Sequence, residues 1–523
     1  MDLLIKLKVF SILLIVWVPR EAILGKPCAA RLFTNSSVVC VCNATYCDEI
    51  TRLPPAEGYY VSYTSSKTGS RFKKFVGVLY NSSDILADTT IKLHTDKFNQ
   101  KINGFGAAIT DSAALNWLTL SNRALKQYLI DSYFSNKGLE YNILRVPIGG
   151  TDFSTHLYTY NELPENDDFL SNYTLSFEDI NYKIPMIKSS FEASSVPVHI
   201  IGTVWSPPDW MKEKSNYSVC GRLKTRFYPT YAEYYYKFLE EYERHGIPVW
   251  AITTTNEPAN GFMPVRKFNC HGWSAYYMGL WISNHLGPKI RGSKFRNVKI
   301  LAVDDQRYNL PLFFNEMLED HPMASYYIDG VALHYYGDAM TLPQLLLTVS
   351  QVHPTKFMIA TEACEGAFLW DYPKVILGSW DRAENYALDI IVDLNYNVTG
   401  WLDWNICLNE QGGPTWNKNY VDSPVIVAAT KGEFYKQPMF YIMGHFSKFI
   451  PRDSVRIDVE TVKNHKKDSK ISHIAFLTPK NTVVVVIYNK DEATTVGIQI
   501  YDKEAVVDVE ARSIVTVEIL KEF

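Results

Sequence analysis

The 523-residue sequence has few long apolar segments, and none reaches the roughly 20 residues that a membrane-spanning helix needs. The run Val9–Val18 follows two lysines and is ended by a proline, a pattern typical of a secretory signal peptide. Cleavage is expected between Ala22 and Gly25, so residues 1–25 are predicted to be the signal peptide. The mature protein is then expected to be soluble.

The sequence also lacks an excess of positively charged residues. The formal net charge is −4 and no basic run occurs, so nothing favours a nucleic acid or another polyanion as a partner. The chain has no Gly-X-Ser-X-Gly elbow and no His-Glu-X-X-His helix, and Gly104–Ile109 is one glycine short of a dinucleotide-binding fingerprint. Serine hydrolases, metalloproteases and dinucleotide enzymes therefore lack support, and neither a cofactor nor a metal ion is expected.

Cysteine is scarce, and four of the eight cysteines lie within Cys28–Cys47. A segment this short cannot build its own core, so the cluster predicts a disulfide knot in an oxidising compartment, with three possible pairings. A zinc site is the alternative, but Cys40 and Cys42 are too closely spaced for its ligands. The remaining cysteines are expected to be free thiols: Cys220, Cys270, Cys364 and Cys407.

Signals for asparagine-linked glycosylation agree with a luminal protein. Each Asn-X-Ser/Thr triplet alone is weak evidence, because the triplet is common by chance. The six asparagines are Asn35, Asn43, Asn81, Asn172, Asn216 and Asn397.

The central part of the chain alternates apolar strands with helical stretches, which predicts a parallel sheet flanked by helices. Eight candidate strands can be recognised, the number that closes a (β/α)8 TIM barrel. They are Gly104–Ile109, Tyr141–Val146, Val198–Val204, Val249–Thr254, Lys299–Val303, Gly330–His334, Phe357–Thr361 and Gly400–Asn405.

Two of these strands lead into a glutamate. The fourth runs into Asn256-Glu257-Pro258, where proline stops the strand, and the seventh runs directly into Glu362. Barrel enzymes carry their catalytic groups at the carboxyl ends of the strands, and two carboxyl groups placed there indicate a glycosidase. The alternative is that each glutamate forms a salt bridge at the rim of the barrel.

Short alternating strands lie at both ends of the chain. Residues 59–63 and 72–80 resemble a hairpin, and Thr482–Tyr488, Thr494–Ile500 and Ile514–Leu520 are separated by turns. We expect these segments to form one β-sandwich, with the barrel inserted between them.

Other polar and aromatic residues near strand ends are candidates for sugar binding, each with an alternative. Asn256 is expected to bond a sugar hydroxyl, or to be a turn residue. Tyr336 is expected to orient Glu362, or to be aromatic filler. Asp111 follows the first strand and either holds sugar hydroxyls or caps a helix, while Trp205 and Trp404 either wall the sugar pocket or belong to the core.

Several blocks of the sequence resemble the animal lysosomal glucosylceramidases, the acid β-glucosidases of glycoside hydrolase family 30. The similarity extends from about Cys28 to the C-terminus. The blocks are Val38–Cys47, Thr110–Asn116, Leu377–Arg382, Gly400–Asn405, Tyr435–Tyr441 and Gly444–Pro451.

The resemblance implies a retaining β-glucosidase that cleaves glucosylceramide to glucose and ceramide. It implies that Glu257 is the acid/base and Glu362 the nucleophile. Residues implied to contact glucose or line the mouth are Asp111, Trp205, Asn256, Phe268, Trp404 and Asn419. Arg266 replaces a tyrosine of the vertebrate members, so the mouth is expected to differ in shape. The implied disulfides are Cys28–Cys40 and Cys42–Cys47.

With this resemblance the chain is divided into three domains after the signal peptide. Residues 26–51 with 405–436 are expected to form a small disulfide-linked antiparallel β domain. Residues 52–98 with 453–523 are expected to form an Ig-like β-sandwich, and residues 99–404 with 437–452 the catalytic barrel.

The resemblance also implies where the protein acts. It predicts the lumen of the lysosome or secretion, peripheral contact with an anionic lipid membrane, a saposin-type activator and a sorting receptor. Two alternatives stay open: a β-glycosidase of the same fold that acts on another β-glucoside or β-xyloside, and a non-catalytic glycolipid-binding protein. The latter is expected to have lost one of the two glutamates, and both are present.

Overall fold

A computed structural model describes residues 25–33, 36–81, 87–214, 220–263, 268–464 and 471–522. The predicted signal peptide up to residue 24 therefore lies outside the described residues. Eight parallel strands close into a barrel in chain order, as predicted. These barrel strands, numbered first to eighth, are Gly104–Ala108, Ile143–Ile148, His199–Val204, Ala251–Thr253, Lys299–Gln306, Gly330–His334, Phe357–Glu362 and Val398–Asn405.

The barrel closes where its eighth strand pairs with its first. Gly400 lies opposite Gly104 in this pairing, and a Cβ atom on Gly400 would come 2.3 Å from the Gly104 carbonyl oxygen. Glycine is therefore needed where the two backbones approach this closely. An apolar layer fills the inside of the barrel, with one buried residue from each of the second to eighth strands. These residues are Ile143, Ile201, Ala251, Leu301, Ala332, Ile359 and Leu402.

Helices surround the barrel and turn their apolar faces towards it. The helix Tyr228–Arg244 has a proline in its first turn and buries the stripe formed by Tyr231, Tyr235, Phe238 and Tyr242. The other α-helices are Asp111–Thr119, Arg123–Phe134, Ile184–Ala193, Ala275–Trp281, Gly287–Arg291, Leu312–Asp320, Pro322–Tyr327, Gln344–Val352, Trp380–Asn395 and Pro438–Ser447.

A ten-stranded antiparallel-rich sheet folds around its own apolar core and contains strands from both ends of the chain. The predicted β-sandwich is thus confirmed. Its strands are Tyr59–Ser66, Lys73–Val78, Tyr80–Asn81, Thr89–Lys101, Val455–Asn464, Ile471–Leu477, Thr482–Asn489, Thr494–Ile500, Lys503–Val509 and Ser513–Leu520.

A five-stranded sheet joins the N-terminal cysteine segment to residues beyond the eighth barrel strand. Its disulfides are Cys28–Cys40 and Cys42–Cys47, the pairs that the resemblance implies. Four of its strands are antiparallel, and Leu408–Asn409 pairs in parallel with Val425–Ala428. Its remaining strands are Ala30–Leu32, Val38–Asn43 and Glu433–Lys436.

Candidate active site

A polar layer lies directly above the apolar layer of the barrel, towards the carboxyl ends of the strands. Because side chains alternate along a strand, the residue two positions after each apolar interior residue also points inward. In the fifth strand the spacing is three, since a bulge between Val303 and Asp305 shifts the register. The inward polar residues are Arg145, Thr203, Thr253, Asp304, His334 and Thr361.

Glu257 sits above this layer in the turn that follows the fourth strand. Its backbone is left-handed, with φ 43° and ψ 67°, which is unusual for a residue other than glycine. Its amide donates to the Asp304 carbonyl at 2.9 Å, so the turn is anchored to the neighbouring strand. Such strained residues concentrate at functional sites, where the surrounding structure holds them in place.

The Glu257 carboxyl group is surrounded by hydrogen-bond donors. Gln306 Nε2 donates to Oε1 at 2.8 Å, and His334 Nδ1 lies 3.1 Å from the same oxygen. Asn260 Nδ2 donates to Oε2. The direction of this carboxyl group is therefore set by the turn that follows the fourth strand and by the ends of the fifth and sixth strands.

Glu362 ends the seventh strand and faces Glu257. Tyr336 donates its phenol proton to Oε1 at 2.8 Å, and the Arg145 guanidinium binds Oε2. One carboxylate oxygen of Glu362 and one of Glu257 lie within 4.8 Å of one another. Retaining glycosidases hold their two carboxyl groups about 5–5.5 Å apart, whereas inverting enzymes need about 6.5–9.5 Å.

The positive and negative charges of Glu362 and of the groups beneath the two glutamates balance. Burial lowers the pKa of His334, but the charge of Glu362 and hydrogen bonds to Asp304 and Glu257 raise it to about 10, so the imidazole is protonated. Burial favours protonation of Asp304, but Arg145 and His334 hold the pKa of its carboxyl group well below the usual range. Arg145 and His334 thus carry two positive charges that match the anions of Asp304 and Glu362.

A cavity of about 280 Å³ opens above the paired glutamates. Trp205 and Trp404 stack in its wall with ring centroids 5.1 Å apart, and Phe153 meets Trp404 edge-on. Both tryptophans also belong to a buried apolar cluster, so both of the roles considered for them apply. The cavity is lined by Asp152, Phe153, Trp205, Asn256, Glu257, Asn260, Phe268, Asp305, Gln306, Tyr308, Tyr336, Gly337, Met340, Glu362, Cys364, Ala367, Phe368, Trp404, Asn419 and Val421.

Asp152 lines the cavity although the sequence analysis did not select it. Asn419 Nδ2 donates to Asp152 Oδ2 at 2.8 Å, which links the loops after the second and eighth strands. Burial raises the pKa of Asp152 to about 7 against the hydrogen bond from Asn419. Its position shortly after the second predicted strand, Tyr141–Val146, was the available signal.

Asp111, in contrast, is not among the residues that line this cavity, and its place among the sugar contacts stays a prediction. The preceding residue, Thr110, caps the helix Asp111–Thr119, and Asp111 occupies the first turn. Its Oδ2 accepts hydrogen bonds from Ser154 at 2.6 Å and Tyr158 at 2.8 Å, while Lys183 lies 3.6 Å from Oδ1. These partners leave the side chain enclosed within the packing of neighbouring loops.

Two of the predicted free thiols form a disulfide, which corrects the sequence analysis. Cys220 joins Cys270 across 50 residues of sequence. Gly221–Leu223 pairs in parallel with His271–Gly272 immediately beside it, so the fold brings the loops after the third and fourth strands together. No local spacing signals such a contact. Cys364 and Cys407 are free and buried.

The remaining predicted positions either fall outside the described residues or differ in exposure. Arg266, Asn35 and Asn216 fall outside the described residues. Asn81 and Asn172 are exposed, whereas Asn43 and Asn397 are half-buried. Phe268, predicted for the mouth, is half-buried there.

Residues 102–450 match the TIM-barrel domain of glycosyl hydrolase family 30, and residues 453–517 match the β-sandwich domain of the same family. The chain belongs to glycosyl hydrolase family 30. Among curated relatives, mouse lysosomal acid glucosylceramidase is 41% identical over 472 residues, which covers 89% of this chain and 90% of the relative. Putative glucosylceramidase 3 of Caenorhabditis elegans is 44% identical and covers 80% and 81%.

Solved structures share the fold of this glycosidase at lower identity. SrfJ from Salmonella typhimurium superposes with a TM-score of 0.80 at 22% identity, covering 89% of this chain and all of SrfJ. The endo-β1,6-glucanase BT3312 gives 0.77 at 23%, covering 88% of this chain and 99% of that structure. They confirm the arrangement of barrel and sandwich.

Within the described ranges the enzyme has three disulfides. Disulfides are typical of proteins from oxidising compartments, in agreement with secretion or a luminal location. No helix in the described part of the chain has the length and apolar character needed to cross a bilayer.

Proposed function

We propose that this glycosidase is a retaining β-glucosidase that hydrolyses glucosylceramide to glucose and ceramide in lysosomal sphingolipid degradation. The observation that carries the proposal is the approach of the Glu257 and Glu362 carboxyl groups to within 4.8 Å at the base of a cavity. This separation favours retention, because it leaves no room for a water molecule between the carboxylate and the anomeric carbon. The names of the curated relatives support the substrate.

In the first step Glu362 attacks the anomeric carbon. Its carboxylate is bound by the Arg145 guanidinium and orientated by Tyr336. As the new bond forms, the bond from the anomeric carbon to the ceramide oxygen breaks, and Glu257 gives its proton to that oxygen. The negative charge of the nearby Glu362 carboxylate favours the protonated form of Glu257 at this stage.

In the second step a water molecule takes the place of ceramide, on the face of the anomeric carbon opposite the bond to Glu362. Glu257, now anionic, takes a proton from the water molecule while its oxygen attacks the anomeric carbon. The bond to Glu362 breaks and the carboxylate returns. The amides of Gln306 and Asn260 hold Glu257 in one orientation through both steps.

Polar groups on the cavity wall are placed to bind glucose. Arg145 donates to Asn256 Oδ1 at 2.8 Å, so the Asn256 amide nitrogen is the group left to donate to a sugar hydroxyl. Asp152 accepts from Asn419 through one oxygen and retains acceptor capacity. The stacked tryptophans Trp205 and Trp404 supply the apolar wall against which a pyranose ring packs.

Exposed apolar residues around the mouth support a lipid substrate and a membrane-bound mode of action. Tyr308 and Met340 line the cavity and are 51% and 81% exposed, and Trp370, on the loop beyond Phe368, is 76% exposed. Exposed apolar residues of this size are typical of surfaces that contact lipid or protein. We propose that this rim contacts an anionic lipid membrane, and that a saposin-type activator and a sorting receptor assist the enzyme.

The test is hydrolysis of glucosylceramide in mixed detergent and anionic-lipid micelles by the purified protein from pH 4 to pH 7.5. Glucose release is expected, with little release from β-1,6-glucan or xylan oligosaccharides at equal concentration. A slow 2-fluoro-glucoside is expected to label Glu362, identified by peptide mass spectrometry. The exposed substitution Glu319→Gln serves as the control.

Faster hydrolysis of glucan or xylan would favour the related β-glycosidase instead, and the 26% identical endo-1,6-β-D-glucanase of Trichoderma harzianum makes β-1,6-glucan the first comparison. Binding of glucosylceramide without glucose release would favour the non-catalytic alternative. Labelling of a residue other than Glu362 would contradict the assigned roles.

A further inference from the structure

A second cluster of acidic side chains lies behind the wall of the active site. Asp338, Asp389 and Asp393 each place a carboxylate oxygen within 4.8 Å of the others, and all three are buried. Arg307 Nη2 lies between them, 2.6 Å from Asp338, 2.6 Å from Asp393 and 3.5 Å from Asp389. We call these four residues the Arg307 cluster.

The cluster carries one cation for three carboxyl groups. With all three ionised, it would hold a net charge of −2 in a buried place, which is unfavourable. Asp338 Oδ1 and Asp393 Oδ2 have no hydrogen-bond partner in the structure, so no other donor compensates them. Protons shared among the three carboxyl groups are the remaining means of neutralising the charge.

Among the residues that the structure describes, the neighbouring groups do not supply a second cation. Trp401 Nε1 donates to Asp389 Oδ2 at 2.9 Å, a neutral contact. Tyr335 and Glu365 face the cluster from the loops after the sixth and seventh strands and bond to each other at 2.5 Å. Burial is the main cause that raises the pKa values of all three aspartates, and that of Asp393 reaches about 8.

The cluster is joined to both catalytic carboxyl groups through the chain itself. Arg307 follows Gln306, whose amide donates to Glu257. Asp338 follows Tyr336 by two residues, and Tyr336 donates to Glu362. The ring of Tyr308 packs so closely on Gly337 that a Cβ atom there would lie 2.6 Å from it.

We propose that the Arg307 cluster positions Gln306 and Tyr336, and through them both catalytic carboxyl groups, only while its aspartates retain shared protons. Loss of these protons would drive Asp338 and Asp393 apart and displace the two segments that orient Glu257 and Glu362. The catalytic geometry would thereby be tied to an acidic environment. A neighbouring cavity of about 550 Å³, lined by Arg307, Asp338 and Asp389, gives protons a route from solvent.

The variant Asp393→Asn tests the proposal, which rests on the roles given above to Glu257 and Glu362. Its Oδ1 can still accept from Arg307, while its amide group stands in for a carboxyl group that never loses its proton. Asp320→Asn, at the exposed end of the helix Leu312–Asp320, is the matched control. Thermal and denaturant unfolding, and kcat and KM on a soluble fluorogenic β-glucoside, are measured from pH 5 to pH 8.

Proton linkage determines how the stability of the wild type changes with pH. Asp393 binds its proton more tightly in the folded protein than in the unfolded chain, where the pKa of an aspartate is about 3.9. Its stabilising contribution is complete below that pH and is lost as pH rises towards about 8. The unfolding constant of the wild type is therefore expected to rise at least about tenfold more than that of Asp393→Asn between pH 5 and pH 7.

The pH dependence of kcat should differ between the wild type and Asp393→Asn in the same direction as the pH dependence of stability. The ratio of kcat at pH 7 to kcat at pH 5 is expected to be at least threefold higher in Asp393→Asn than in the wild type or Asp320→Asn, with KM little changed. An unchanged stability profile would overturn the shared protons, and an unchanged kcat ratio would overturn the positioning role.

If Asp393→Asn does not fold, Asp389→Asn takes its place, and failure of both at pH 5 contradicts the proposal. A wild type inactive on β-glucosides would refute the proposed function, while the unfolding measurements would still decide the proton sharing.

Discussion

Two groups of buried acidic residues lie at the same end of the barrel and differ in what surrounds them. Glu257 and Glu362 face a cavity of about 280 Å³. Asp111, with Asp179 beside it, is closed in by Lys183 and by the hydroxyl groups of Ser154 and Tyr158. Glu257, Glu362 and Asp111 each lie at or just after the end of a barrel strand, and Asp179 begins a helical segment.

The two groups differ in the space left beside the carboxyl groups and in the cation that faces them. Around Asp111 the cation is a lysine 3.6 Å away that also pairs with Asp179 at 2.9 Å, an arrangement that stabilises packing. Around Glu362 the cation is an arginine shared with Asp304 and Asn256, so the anion is held while one side stays open. The following substitutions separate these two situations.

Glu362→Gln is expected to have the largest effect. Removal of the nucleophile should lower kcat by at least about a thousandfold, because no covalent intermediate can form. The buried Arg145 guanidinium also loses one of its anionic partners, so a loss of about 1–3 kcal/mol of unfolding free energy is expected beside the catalytic effect. Steady-state kinetics on a fluorogenic β-glucoside, with Glu319→Gln as the control, measures the loss. Activity within tenfold of the wild type would remove Glu362 from its assigned role.

Asp152→Asn should weaken sugar binding in the transition state. A buried polar group left without its hydrogen-bond partner costs about 1–3 kcal/mol, so kcat/KM is expected to fall about 10- to 100-fold. Asn419 can still bond to the remaining oxygen, which keeps the loop in place. The exposed substitution Asp168→Asn should leave kcat/KM unchanged. If Asp152→Asn also left kcat/KM unchanged, the cavity would bind sugar through other residues.

Asp111→Asn separates a packing role, which the enclosed side chain favours, from the sugar contact that the resemblance implies. Lys183 would lose one of its two anionic partners in a buried place, which costs about 1–3 kcal/mol of unfolding free energy. Denaturant unfolding measures this cost, and kcat should stay within about twofold of the wild type. A large fall in kcat without a loss of stability would place Asp111 with the catalytic group after all.

Tyr336→Phe should give the smallest change. It removes one hydrogen bond to Glu362 and leaves the Arg145 contact, so kcat is expected to fall about three- to tenfold. KM should change little if the phenol acts on the nucleophile alone. A rise in KM together with a fall in kcat would instead point to a direct contact between Tyr336 and the sugar.

Much of this arrangement was predictable from local patterns. The strands of the barrel were recognised because fully buried parallel strands are short apolar runs, and the sixth, Gly330–His334, has the predicted bounds. Glu257 and Glu362 stood out because each follows such a run. The resemblance supplied Asn419 and Phe268, which lie far from any strand that the pattern identifies.

The contacts among distant loops were not predictable in this way. Asp304 and Gln306 reach the site because a bulge turns the fifth strand, and Val303 and Asp304 adopt positive φ angles there. Cys220 meets Cys270 because two rim loops pair side by side. Neither event leaves a periodic trace in the residues themselves.

The sequence by itself determined the barrel, the sandwich built from both chain ends and the strands that carry the two glutamates, since these depend on runs of apolar residues and on where prolines and glycines interrupt them. Only the tertiary structure decided that Asp152 faces the cavity while Asp111 is enclosed, and that Arg145 and His334 neutralise the floor of the site. These outcomes depend on distances between loops that are far apart in the chain, and electrostatic and hydrogen-bond energies change over a few ångströms.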